Sequence, residues 1–174
     1  MTKATTQEQD LLFQSYYTFS LLCELQNNCL LESDYFEEMK FDQPLIKEEL
    51  RKTGIWNQGC LLIGLYAFLV VPRQLIAQDY ASEYSEIDSF LDQYTQNTKT
   101  GYKDDSQSIK YLRHIRNAVA HAHVEFRPGD VVIFKDEDIK TQESFSTELP
   151  LRYLGILLKK LQDVHVLYGQ DFYN

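Results

Sequence analysis

The chain is short of cysteine: Cys23, Cys29 and Cys60 are the only three in 174 residues. An odd number without metal-ligand spacing, set in apolar surroundings, argues against a disulfide scaffold or a thiolate metal centre. The three read instead as small buried hydrophobes in a reducing compartment. Long apolar runs are missing too. The most apolar stretch, Cys60 to Val71, is too brief for a membrane-spanning helix and suits a buried one. The N-terminal Met1-Thr2-Lys3-Ala4-Thr5-Thr6-Gln7 is polar and lacks the apolar centre of a signal peptide. A soluble, cytoplasmic protein with no membrane partner is expected.

Positive charge is scarce as well. Seventeen Lys and Arg face 26 Asp and Glu, for a net charge of −9. That balance argues against broad, nonspecific nucleic-acid binding, which depends on basic surface. The deficit is uneven, however. Between Lys99 and Arg127 six basic residues outnumber three acids, so this stretch carries +3 and the remainder −12. A small positive focus on an acidic body fits one local phosphate site better than a long track.

What the chain does have is hydrophobic bulk: 44% of its residues, with twelve Tyr and ten Phe. A packed single domain over residues 1–174 follows, large enough for a core without staples. Helical spacing marks Gln7 to Leu31, a short segment from Ser33–Asp34 to Met39, and Leu45 to Lys52 behind Pro44. It also marks a buried helix from Ile55 to Val71, kinked or restarted at Pro72, and an amphipathic one from Glu83 to Tyr94. Thr95 to Asp105 is polar and reads as a loop. Ser106 or Ser108 can start a basic helix that runs to about His121. Beyond it, apolar alternation around Arg127-Pro128-Gly129-Asp130 predicts one short β-hairpin, and Asp136-Glu137-Asp138 a polar turn. Ser146-Thr147-Glu148 then precedes a last helix, Leu149 to Leu167. The fold class is mainly α: a bundle of about five to six helices with one hairpin. Trp56 reads as packed beside a capping Asn57, and the scattered tyrosines as core and dimer interface.

The chemistry gathers at Arg116-Asn117-Ala118-Val119-Ala120-His121. Arginine offers a permanent cationic fork for phosphate, and histidine a proton carrier that titrates near neutrality. On a helical wheel Leu112, Ile115 and Val119 fall within about 60° and form the core stripe. Lys110, Arg113, His114, Asn117 and His121 cluster on the opposite side, with Arg116 on the border. Arg116 and His121 stand about 140° apart on an ideal helix. They converge only if the helix ends near His121 or if a second copy completes the site. Asn117 is a weak mid-helix residue, which suggests that its amide is occupied. His121 and His123 could pair on a metal, but no third ligand has fitting spacing, so no metal and no cofactor are expected.

The R-N-x-x-x-H pattern on the penultimate helix of a bundle resembles the HEPN superfamily of metal-independent ribonucleases. The continuation Ala122-His123-Val124-Glu125-Phe126 and Val131-Val132-Ile133-Phe134-Lys135-Asp136 is similar to a phage- and plasmid-linked bacterial branch, over roughly residues 106–165. HEPN toxins paired with nucleotidyltransferases often carry tyrosine two residues past the histidine; here that residue is His123.

The resemblance implies a homodimer through the motif-helix face and RNA as substrate. It implies Arg116, Asn117 and His121 as catalytic residues, cutting by 2′-OH attack to 2′,3′-cyclic phosphate and 5′-OH ends. Arg113, His114, Lys110 and His123 are the candidates for contacting substrate phosphates. A toxin or phage-defence role, with an antitoxin or regulatory protein as partner, is the corresponding expectation. The acidic net charge motivates the alternative of a non-catalytic HEPN-like module that senses a nucleotide or holds a partner protein.

Overall fold

A computed structural model describes residues 6–173, without the side chains of Arg73 and Gln74. Most of the polar N-terminal tract, residues 1–5, lies outside the described residues. Helix α1 (Gln7–Asn27) opens on a capping box: the Thr6 hydroxyl accepts from the Gln9 N–H, and the Gln9 side chain accepts from the Thr6 N–H. It stops before Leu31, because Cys29 takes a left-handed conformation and only a 3₁₀ turn, Leu30–Glu32, follows. Helix α2 (Asp34–Glu38) is capped by Ser33, and α3 (Pro44–Thr53) has Pro44 in its first turn and Gly54 at its end, as the spacing predicts. Among the described residues no single helix is long and apolar enough to cross a membrane.

Asn57 caps α4 (Gln58–Leu65) by accepting from the Cys60 N–H at 3.1 Å. Trp56, expected to be packed, is 43% exposed, with its ring against that of Phe19. The predicted long helix does not run straight to Val71. It widens into a π-turn at Tyr66–Val70 and tightens to 3₁₀ over Val71–Gln74. Pro72 has no N–H to give the preceding turn, so the ladder re-forms with different spacing around it. Helix α5 (Ala81–Tyr94) follows.

The largest departure from expectation is the sheet. Four antiparallel strands lie in the order β1-β4-β3-β2. The predicted hairpin is β2 (Val124–Arg127) and β3 (Val131–Asp138). The remaining two strands are β1 (Gln96–Thr100), from the supposed loop, and β4 (Glu143–Pro150), from the supposed cap of the last helix. In β4 the buried residues Phe145, Thr147 and Leu149 alternate with more exposed neighbours, which is a strand period. Edge strand β1 is held by its pairing and by a Thr98–Thr147 hydroxyl bond of 2.7 Å. The polar triplet Asp136-Glu137-Asp138 is the end of β3, not a turn.

Helix α6 (Tyr111–Ala120) packs between β3, α5 and the π-turn, and α7 (Leu151–Tyr173) closes the bundle. The core joins both layers: Phe19, Leu65, Phe68, Ile115, Phe134 and Leu158 are all 2% exposed or less. Gly64 permits the closest approach within it, since a Cβ there would lie 2.6 Å from the Phe19 ring.

Candidate active site

Helix α6 starts five residues later than Ser106 suggests, because its first N–H groups find acceptors outside the helix. Asp105 Oδ1 accepts from the Lys110 N–H at 3.3 Å, and Asp88 Oδ1, from α5, accepts from the Leu112 N–H at 2.7 Å. Two carboxylates at a helix N-terminus also complement its dipole. Burial pushes the Asp88 carboxyl up to about 6, against the pull of the Leu112 N–H and His114. Burial would raise Asp105 as well. Bonds from the Thr100 hydroxyl, the Lys110 N–H and His114 instead hold it below its ordinary value.

The far end of α6 stops in a Schellman turn. The Ala122 N–H donates to Val119 O at 3.2 Å, and the His123 N–H to Ala118 O at 2.8 Å. Ala122 takes a left-handed φ of 57° where glycine is the usual residue. His121 is therefore the cap of the helix and not part of it, with φ −103° and ψ 9°. The helix thus ends at His121, one of the two conditions for convergence that the ideal wheel set. Arg116, Asn117 and His121 line a single open cleft of about 460 Å³, whose walls include Val70, Val71 and Glu8. The π-turn and its 3₁₀ continuation thus build the wall facing the motif. Arg116 is half-buried and His121 exposed.

The other expected substrate contacts fare differently. His123 is exposed, with its ring 6.3 Å from that of His121. Lys110 sits at the opposite end of α6, about 15 Å away at 1.5 Å per residue. Arg113 is turned aside to Asp104 at 3.3 Å and lies over the Tyr102 ring. His114 is the clear correction, because it has no exposed surface at all. Its ring lies between those of Tyr102 and Phe145, 4.6 and 4.3 Å away, and is nearly parallel to the latter. Asp105 Oδ2 is 3.0 Å from its Nε2 and Asp136 Oδ2 is 2.7 Å from its Nδ1.

Asp136 reaches this position from β3, where it is in phase with the buried Val132 and Phe134. It also accepts from Asn117 Nδ2 at 3.0 Å, and Asn117 Oδ1 accepts from the Arg116 guanidinium at 2.9 Å. Tyr102 stands close by: burial, and then the nearby Asp136 carboxylate, push its phenol up to about 12. Asp88, Asp105 and Asp136 are the residues that sequence reasoning missed. An acid in phase with two apolar strand residues was the available signal for Asp136.

A family model described as HEPN pEK499 p136 matches residues 1–171, nearly the whole chain. The chain belongs to this HEPN family. No curated protein and no solved structure matches it. The HEPN assignment covers the sheet-forming segments as well as the helices, so β1 and β4 lie within the matched region.

Proposed function

We propose that this HEPN protein is a metal-independent endoribonuclease, acting as a toxin or phage-defence effector in the cytoplasm. The observation that carries the reading is the convergence of Arg116, Asn117 and His121 on one open cleft at the end of α6. The ribose 2′-oxygen attacks the scissile phosphorus while an imidazole takes its proton. The bond from phosphorus to the 5′-oxygen breaks, and a second proton carrier supplies the leaving oxygen. A homodimer packed through the motif-helix face places a second His121 at the same cleft, so one imidazole accepts as the other donates. Arg116 stabilises the charge that grows on the non-bridging oxygens. The products are a 2′,3′-cyclic phosphate and a 5′-OH, and DNA is spared because it lacks the attacking hydroxyl.

Incubation of the purified protein with RNA in EDTA tests the reading. Wild type cleaves RNA and not DNA, mass spectrometry finds cyclic phosphate ends, and Arg116→Ala loses about 10²- to 10³-fold in rate. Absence of cleavage, or full activity in Arg116→Ala, sinks it and leaves the binding-module alternative.

A further inference from the structure

His114 and Asp136 meet neither solvent nor the cleft, yet a continuous run of polar contacts joins them to Arg116. We propose that His114 and Asp136, braced by Asp105 and Tyr102, are positioning residues that hold Asn117 in one orientation and so aim the Arg116 guanidinium into the cleft. The proposal rests on the endoribonuclease reading for its effect on rate, but not for its geometry.

Donor and acceptor chemistry makes the chain directional. His114 Nδ1 lies 2.7 Å from Asp136 Oδ2 and its Nε2 3.0 Å from Asp105 Oδ2, so an acid holds each side of the ring. Asn117 is then fixed by opposite neighbours. Its NH₂ must face Asp136, which cannot donate, and its oxygen must face Arg116, which cannot accept. The amide has no alternative flip that keeps both bonds. The contacts run from His114 through Asp136 and Asn117 to Arg116, so each bond reinforces the next.

The anchor of the chain is rigid as well. The imidazole is stacked 14° from the plane of Phe145, the residue paired across the sheet with Asp136. The Tyr102 ring packs against the imidazole as well, with centroids 4.6 Å apart. Thr100, from β1, donates to Asp105 at 2.6 Å and ties the chain to the outer strand. Arginine otherwise loses rotamer freedom when it is fixed. A preset guanidinium does so during folding instead of at the transition state.

The test uses His114→Gln and Asp136→Asn, singly and in an Arg116→Lys background. Expected results are a kcat about 10- to 100-fold lower with RNA affinity unchanged, and little further loss when Arg116 is already Lys. A raised KM at unchanged kcat makes His114 an RNA contact, and equal losses in both backgrounds make the effect unspecific; either overturns the proposal. A second readout is nitrogen-15 NMR of the Arg116 Nε–H, sharp and slow to exchange in wild type and averaged in the variants.

If wild type cuts no RNA, the ribonuclease reading falls and this signal alone decides. A signal unchanged in folded variants overturns the positioning role, and its loss upholds it. Should both variants fail to fold, Thr100→Val keeps the side-chain shape and removes one bond to Asp105. It lowers kcat about 3- to 10-fold and loosens the same NMR signal, and no change in either measure overturns the idea.

Discussion

His114 and His121 stand about two turns apart on one stretch of chain and share a face on an ideal helix. The first is sealed between two carboxylates and two aromatic rings, and the second is exposed at an open cleft. The difference lies in what surrounds each and not in the helix itself. Strands β3 and β4 cover the N-terminal half of α6 with Asp136 and Phe145. At the other end the Schellman turn takes His121 off the helix before any strand can cover it. A histidine with both nitrogens held inside the protein is out of reach of a substrate, whereas one at the helix cap faces the same open cleft as Arg116.

Breaking the comparison from the open side has the largest expected effect. His121→Ala lowers the RNA cleavage rate about 10²- to 10⁴-fold and leaves the melting temperature nearly unchanged, by calorimetry. Its reverse is His114→Ala, which strands two buried carboxylates and destabilises the fold by about 3–5 kcal/mol in urea titrations. This variant also changes acid behaviour. The depressed folded-state value of Asp105 gives stability that is present above its unfolded value of about 4 and lost as pH falls through the folded value. Without His114 that acid-side loss becomes shallower.

Asp88 carries the opposite sign. Its folded value of about 6 lies above the unfolded one, so its contribution is full below about pH 4 and lost as pH rises through 6. Asp88→Asn keeps the acceptor for the Leu112 N–H. Relative to wild type it therefore gains on the order of 2 kcal/mol between pH 4 and 7, read from paired denaturation curves. The smallest effect belongs to the turn itself. Ala122→Gly relieves the left-handed strain and changes stability by about 0.5–1 kcal/mol, upward if the turn outweighs the added freedom of the unfolded chain.

The sequence made the helices legible wherever local chemistry decides them. Ser33, Pro44, Gly54 and Asn57 each sit at the boundary that their side chains dictate. The stripe of Leu112, Ile115 and Val119 is buried as its period requires. The motif residues Arg116, Asn117 and His121 were also legible, and they line one cleft. What was not legible depends on partners distant in sequence. Strand β1 is polar throughout and exists because β4 pairs with it. Ser146-Thr147-Glu148 has the composition of a helix cap, and only the buried alternation of Phe145, Thr147 and Leu149 makes it a strand. His114 looked like a member of a wet basic face, since nothing near it in sequence announces that Asp136 will lie against it.

The Schellman turn has a consequence for how such motifs are counted. Its last residue, His123, closes the helix by donating to Ala118 and opens the sheet by accepting from the Lys135 N–H at 3.1 Å. The interval between Arg116 and His121 is therefore a ruler laid from a fixed point inside the helix to its stop, and not a multiple of the helical repeat. Related chains with longer or shorter intervals can keep the same cleft if the stop moves with the histidine.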